Sequence, residues 1–581
     1  MKCTEFIVEY LKKHEKLSHV FTYAGGTNAW LLDVLHKSSN IGYIPMRHEQ
    51  NAAFAAEGYA RAGERLGVVL TMSGPGATNL VTGIANAFFD SVPVLYLTGQ
   101  VTSMTYKFDN PVRQLGYQET DIVSIVKPIT KNAVMARTET EVASFLQKSI
   151  SIARSGRPGP VLLDLPTDVQ RKEVTCAKLD VKPICENGPC ASNIKIGSVI
   201  KLIQASKRPI ILAGGGVRVS GTCDLLMEFA DRFQIPVVAS LMGKDSFPND
   251  HPLFVGFIGS YGNRYANLSL ANCDLVIALG SRLDSRQTAN PKTFARAAKI
   301  VHVDIDLCEL ENAALSDLSI HSDLRKFFEK ILRFNDNQID VDARLEWKKY
   351  IRLVKAEFYT EPAASRKKIN PKLFLRKLSD LSAGNEIFTA DVGNNQMWAA
   401  QELKIKKDQR FIVSGGLGSM GFAIPAAIGA HFACPDRPVI SIVGDGGFQM
   451  STPELETIVS NNIPVKIIVF NNNVLGLMWH FQGENFDNGH PATEDGYSCP
   501  DIQKVASAYG LPCMKLENER QMLKGISWIL SAKGPALLEV MVDRSWAAYP
   551  KVKPGNPIEI QLPKISKKKQ CKYMLIPLLD D

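Results

Sequence analysis

Asp445 and Asn472 are the residues whose types and surroundings carry the most chemistry. Asp445 stands in Gly444-Asp445-Gly446-Gly447, directly after the apolar run Val439 to Val443, and Asn472 stands in Asn471-Asn472-Asn473, directly after Pro464 to Phe470. The two runs flank a helical pattern over Thr452 to Ser460, which predicts neighbouring parallel strands whose following turns open on the same carboxyl edge. The two side chains can then converge on one point. A carboxylate, an amide oxygen and a nearby backbone carbonyl make a hard-oxygen set suited to magnesium, with phosphate oxygens and water completing its octahedron. Gly446 and Gly447 let backbone N–H groups approach a diphosphate, and the helix N-terminus beyond them favours its charge. An ordinary strand-to-helix turn would explain Gly-Asp-Gly alone. The asparagines closing the next strand speak against that reading.

Three blocks of alternating strand and helix patterns supply the elements that hold such a site, which predicts an α/β fold of three parallel-sheet domains. In the first, residues 1–180, Val68 to Met72 is a strand, Ser73 to Asn79 a turn, Leu80 to Phe89 a helix and Val92 to Thr98 the next strand. Lys182 to Ser192, polar with proline and cysteine, is a linker. In the second block, residues 193–335, Pro209 to Ala213 ends in Gly214-Gly215-Gly216, Asp274 to Leu279 ends in Gly280-Ser281-Arg282, and Lys299 to Asp304 is a third strand. The charged segment Asp336 to Lys372 joins blocks. The third block, residues 373–545, has strands at Glu386 to Ala390, Pro438 to Val443, Pro464 to Phe470 and Ala536 to Val542, and a tail follows over 546–581. The first and third blocks share a strand, a glycine-rich turn and a helix.

Bulk properties exclude several classes. The 581 residues are 45% hydrophobic and 22% charged, as in a globular protein with several cores. The net charge of +8 is concentrated in Lys564, Lys567, Lys568 and Lys569, a basic run best read as a solvated tail, and no nucleic-acid-binding signature accompanies it. The 11 cysteines have neither CxxC nor zinc spacing, which argues for reduced thiols in the cytoplasm. No apolar leader opens the chain, and no window predicts a membrane span.

Gly444-Asp445-Gly446 followed by Asn471-Asn472 resembles the thiamine-diphosphate motif. Within those enzymes the chain is similar to the catalytic subunit of acetohydroxyacid (acetolactate) synthase along nearly its whole length. The resemblance implies a pyrimidine-binding first domain, a Rossmann-like central domain and a diphosphate-binding third domain. It makes Asp445 and Asn472 side-chain ligands of magnesium and gives Val474 a backbone-carbonyl role. Arg47-His48-Glu49-Gln50, followed by Ala56-Glu57-Gly58-Tyr59-Ala60-Arg61, matches the activating segment, although a glutamate opening a helix is by itself usually a dipole or capping residue. By the resemblance Glu49 bonds the aminopyrimidine ring and promotes the tautomer that activates the cofactor. Gln118, of Gln118-Glu119, joins it in the catalytic set. In Gly415 to Gly421 the Gly418 carbonyl accepts from the ring's amino group, Ser419 borders it and Met420 props the cofactor into a bent shape. Gly393, Asn394 and Asn395 touch the diphosphate. Segments around Gly215, Ser281, Arg282, Asp304 and Asp323, with Arg157, are similar to flavin-binding segments and imply FAD in a structural role. Because the family draws the glutamate and the diphosphate site from different subunits, a homodimer or homotetramer is implied.

The implied reaction is decarboxylation of a 2-ketoacid, pyruvate, followed by carboligation of the enamine to an acceptor. Departures from the family gather at the acceptor: Thr167 stands where the synthase has Lys, Phe481 where it has Trp, Tyr117 where it has Phe, and Gly25 to Trp30 is bulkier and more polar than the usual segment. A second pyruvate, a nucleotide-linked ketosugar and a proton all stay open as the acceptor, the last making a simple decarboxylase.

Overall fold

A computed structural model of the chain describes residues 1–174, 188–312, 315–334, 341–359, 368–487, 489–579. Most of the expected linker at Lys182 to Ser192 lies outside them, as do parts of the Asp336 to Lys372 segment.

The three blocks are three six-stranded sheets. The first contains β1 (His19–Thr22), β2 (Gly42–Pro45), β3 (Gly67–Thr71), β4 (Val94–Gln100), β5 (Asn132–Met135) and β6 (Val161–Pro166), in the order β2-β1-β3-β4-β6-β5. The second contains β7 (Pro209–Ala213), β8 (Val237–Ala239), β9 (Phe254–Phe257), β10 (Leu275–Leu279), β11 (Lys299–Asp304) and β12 (Leu318–His321), in the order β12-β11-β10-β7-β8-β9. The third contains β13 (Ile387–Ala390), β14 (Arg410–Val413), β15 (Val439–Gly444), β16 (Lys466–Asn471), β17 (Cys513–Leu516) and β18 (Ala536–Met541), in the order β14-β13-β15-β16-β18-β17. Neighbours pair in parallel throughout, as in β15 with β16 and β7 with β10. Near-continuous apolar runs such as Val439 to Val443 follow from burial of both sheet faces under helices.

The first and third sheets have one strand order, so the likeness of those blocks extends to topology. Each reverses direction between its first and third strands, and the third sheet's reversal lies between β13 and β15. The middle sheet has the dinucleotide-fold order, with its reversal between β7 and β10. Ligands meet such sheets at the carboxyl ends of the strands flanking the reversal.

First and third blocks meet through two helices of small residues, Glu49–Gly63 and Ala423–Ala433. A Cβ on Gly58 would stand 2.1 Å from the Ala426 carbonyl oxygen, and one on Gly429 would stand 1.8 Å from that of Ala55. Only glycine permits this approach.

Lys564, Lys567 and Lys568 are exposed, as expected of a solvated run, but the C-terminal residues around them are folded. A two-stranded hairpin, β19 (Lys551–Val552) with β20 (Gln561–Leu562), and the helix Lys567–Tyr573 pack on the middle block. Val552 N donates to Ser260 O at 2.7 Å, Arg296 pairs with buried Glu559 at 2.5 Å, and the Tyr573 hydroxyl donates to Glu357 at 2.9 Å. Glu357 belongs to the helix Val341–Phe358, which buries Trp347 and Val354 against the middle block and so is part of its core, not only a connector.

Candidate active site

The β15 strand ends at Gly444, and the helix Asp445–Ser451 begins at Asp445 itself, so the expected Gly-Asp-Gly turn is nearly absent. In the register of β15 with β16, Gly444 lies opposite Phe470, which brings Asp445 and Asn472 out on one edge. Asp445 is 3% exposed, and its Oδ2 has no hydrogen-bond partner among the described residues. Burial pushes its carboxyl up to about 7, against the opposing pull of the Tyr497 hydroxyl and of nearby backbone N–H groups. The buried Asn472 turns its Oδ1 to accept from Val474 N at 3.3 Å, and Asn473 between them takes a left-handed φ of 57°. An unpaired buried carboxylate oxygen is costly unless a cation meets it. No cluster of three or more His, Cys, Asp and Glu side chains suited to a metal occurs among the described residues. One carboxylate with amide and carbonyl oxygens is a magnesium set, and these residues fit that ion.

The asparagines after β13 close on the same point. They open the helix Asn394–Glu402, behind Gly393 at φ 140°. A Cβ on Gly476 would meet Asn472 Nδ2 at 2.6 Å and Asn394 Nδ2 at 2.7 Å, so the two amides flank one glycine. Asn394 Oδ1 is a second buried oxygen without a partner among the described residues. Asn395 Nδ2 donates to Asp391 O at 2.7 Å, and its Oδ1 lies near Gly444. Met420 Cε lies 3.1 Å from where a Cβ on Gly446 would be, which brings the Gly418 (φ 75°), Ser419 and Met420 segment against the first turn of the helix Asp445–Ser451.

Two contributors escape the sequence reading. Asp391, buried at the end of β13, accepts from Gly421 N at 3.0 Å and Ala423 N at 2.9 Å and lies beneath Gly447. It therefore holds three segments of the site together. Its place after a strand at the topological reversal was the available signal. His480, on the helix Gly476–Asn485, has Nδ1 2.6 Å from Gly476 O and 3.4 Å from Asn394 Nδ2, with no comparable signal.

Glu49 and Gln118 form a second group. Glu49 is buried at the first position of its helix, whose start is capped by His48 accepting from Gln50 N at 3.2 Å. Its Oε2 accepts from Asn79 Nδ2 at 2.9 Å, and its Oε1 lies 3.3 Å from the Cβ position of Gly76. Gln118, at φ 64°, packs its Cβ 2.9 Å from the Cβ position of Gly74, so both side chains lean on the Gly74-Pro75-Gly76 turn. Glu119 fixes the loop by accepting from Lys107, Leu115 and Gly116 N–H groups. No hydrogen bond or ion pair among the described residues joins Glu49 or Gln118 to the Asp445 group.

The remaining expected positions gather at a cavity of about 670 Å³ between the blocks, lined by Arg157, Gly215, Ser281, Arg282, Asp304 and Asp323. It opens at the middle sheet's reversal, where a Cβ on Gly214 would meet Gly280 O at 2.0 Å. Arg157 reaches over from the first block to Asp306 at 3.1 Å and Glu309 at 2.6 Å. Ser281 Oγ donates to Gln287 at 2.5 Å, and Arg282 pairs with Asp284 at 3.2 Å. Asp323 caps a helix through Lys326 N, and burial pushes the Asp304 carboxyl up to about 6.

Comparison with known proteins agrees with this geometry. Three models of thiamine pyrophosphate enzymes match: the N-terminal TPP binding domain over residues 1–125, the central domain over 196–331 and the C-terminal TPP binding domain over 391–540. The acetolactate synthase large subunit of Lactococcus lactis is 37% identical over 541 residues, covering 92% of each chain. The probable acetolactate synthase large subunit of Methanocaldococcus jannaschii is 38% identical over 98% of this chain and 97% of its own. Acetolactate synthase 2, chloroplastic, of Nicotiana tabacum is 35% identical over 96% of this chain and 84% of its own. With three domain models matched in order and relatives aligned along nearly its whole length, the chain belongs to the thiamine pyrophosphate enzyme family, beside the acetolactate synthase large subunits.

Proposed function

We propose that the chain is an acetolactate-synthase-type transferase that decarboxylates a 2-ketoacid, pyruvate, and joins the remaining two-carbon unit to an acceptor. The observation that carries this is the convergence of buried Asp445, with its unpartnered Oδ2, on Asn472 and Asn394 at the sheet reversal. Asp445, Asn472 and the Val474 carbonyl hold magnesium. Asn394, Asn395 and the backbone of Gly446 and Gly447 take the diphosphate, while the Gly418 carbonyl and Met420 orient the aminopyrimidine ring. Bound thiamine pyrophosphate supplies the carbon nucleophile and the electron sink. Glu49, buried and hydrogen-bonded only by Asn79 among the described residues, can hold a proton against the ring, and Gln118 flanks it.

Glu49 and the metal group share no hydrogen bond in one chain, and strongly exposed apolar side chains flank each. Met104 is 88% and Tyr117 is 85% exposed on the Glu49 side, while Met450, Met478 and Phe481 are exposed on the other. Both observations support a homodimer in which one copy's first block meets the partner's third block. The cavity and strand order of the middle block support FAD as a structural cofactor. A flavin absorbance near 450 nm in the purified protein checks that assignment, and a colourless preparation that takes up no added FAD overturns it.

Carbon-13 pyruvate with magnesium and thiamine pyrophosphate tests the reaction. Labelled acetolactate together with carbon dioxide is the expected result. Carbon dioxide with acetaldehyde, or with a labelled two-carbon unit on an added ketosugar only, moves the acceptor elsewhere. No carbon dioxide sinks the proposal.

A further inference from the structure

The helix Glu49–Gly63 carries a second carboxylate that the reaction above does not use. Glu57, fully buried, accepts from Asn86 Nδ2 at 2.7 Å and from Arg61 Nη1 at 3.2 Å. Asn86 then turns its Oδ1 to the third block and accepts from Ser414 Oγ at 2.5 Å and Ser419 Oγ at 3.0 Å. Asp90, one turn further on, accepts Gly415 N at 3.0 Å and Gly416 N at 2.7 Å. Arg61 lies 3.6 Å from Asp90 and donates to Val413 O at 2.6 Å. The Ser414 hydroxyl also accepts from Ser419 N at 2.9 Å. Thus hydroxyls, N–H groups and a carbonyl along Val413 to Ser419 all end on this cluster. The next residues of the segment are Met420 and Gly421, and Gly418 lies within it.

We propose that Asn86 and Asp90, anchored by Glu57 and Arg61, are positioning residues that set the Gly418 carbonyl and the Met420 side chain for the aminopyrimidine ring. The inference rests on the thiamine pyrophosphate reading.

Stability alone does not account for the cluster. Two carboxylates buried around one guanidinium usually gain little over apolar packing, and the block interface already has such packing at Gly58 and Gly429. Burial raises both carboxyls, and the charge of Asp90 adds to the rise at Glu57. What carboxylate and amide acceptors add is direction, because charge-assisted bonds to successive N–H groups fix a backbone segment in one register. Gly418 and Gly421 both have positive φ, and apart from Asp391 the segment's other tether is Gln396 Nε2, which donates to Ser414 O at 3.2 Å. Asp391 holds its far end, and Asn86 and Asp90 hold its near end. The diphosphate and metal group hangs instead on Asn394, Asn395, Asp445 and Asn472, none of which bonds to the cluster.

This separation makes the test. Asn86→Ala and Ser414→Ala are compared with the full-length parent by calorimetry of magnesium-dependent thiamine pyrophosphate binding, by pyruvate turnover, and by near-ultraviolet circular dichroism of the bound cofactor. Kd is expected to stay within about threefold while kcat falls about 20-fold or more and the dichroic band of the held ring weakens. Should Asn86→Ala fail to fold, Ser414→Ala, which deletes one hydroxyl, decides alone. Parent-like kcat with an unchanged band overturns the inference. Loss of Kd and kcat by one common factor also overturns it, since that marks a merely structural role. A parent that binds no thiamine pyrophosphate overturns the proposed function, and this inference with it, and is distinguishable because the failure then appears in the parent and not only in the variants.

Discussion

A carboxylate that burial pushes up to about 7 while one oxygen lacks a partner is poised for a cation. Between the ordinary carboxylate value and about 7, the metal-free folded chain holds a proton at Asp445 that the unfolded chain has lost. Apo stability from this group is therefore greatest at low pH and declines as pH rises through about 7. On the proposed assignment magnesium displaces that proton, so metal-dependent cofactor binding is expected to weaken about tenfold per pH unit below 7 and to level off above it. Calorimetry between pH 5.5 and 8 checks the slope. Asp445→Ala should abolish metal-dependent binding, whereas Glu49→Gln should leave Kd nearly unchanged and lower kcat about 100-fold; unchanged turnover in Glu49→Gln would remove Glu49 from the catalytic set. Asp445 and Asn472 are legible from sequence because they end consecutive strands, so local chain order dictates their meeting. Asn86 and Asp90 are not, because their partners are more than 300 residues away and nothing local marks an Asn or Asp near a helix end as an interdomain acceptor.

At the scale of elements, the apolar runs locate the strands, since buried parallel strands must be apolar on both faces. Boundaries move where a helix begins earlier than its first apolar residue. Asp445–Ser451 starts at the glycine-flanked aspartate, and Pro75–Thr78 forms a short helix inside an expected turn. The crossing of Glu49–Gly63 with Ala423–Ala433 is illegible, because a glycine inside a helix shows a lost side chain and not the backbone that fills its place. Gly429→Val forces carbons against the Ala55 carbonyl, where even a Cβ would stand at 1.8 Å. We expect a loss of about 3 kcal/mol in denaturant unfolding, with the first and third blocks parting first. Stability within about 0.5 kcal/mol of the parent would mean that the helices separate without cost.

Over the whole molecule, three sheets place their reversals where the segments proposed to hold cofactors begin, and the C-terminal residues bind the middle block into one piece with the helix Val341–Phe358. No helix among the described residues is long and apolar enough to cross a membrane. The lysines of the basic run are solvated as expected, but the segment that carries them is anchored, and its anchors, Glu559 and Tyr573, are single and widely spaced and leave no local signal. Glu559 is nearly fully buried, and its partner Arg296 comes from the middle block. Removing the guanidinium leaves a buried carboxylate with no compensating charge, which costs about 3 kcal/mol. Arg296→Ala should therefore lower Tm and speed hydrogen exchange in β19, β20 and the helix Lys567–Tyr573, with magnesium-dependent cofactor binding retained because the third sheet is untouched. Adding Glu559→Gln to that variant removes the orphaned charge and should recover part of the loss. If the double variant is no more stable than Arg296→Ala, the pair is not what fastens the C-terminal segment, and packing around Ile558 and Tyr573 carries it instead.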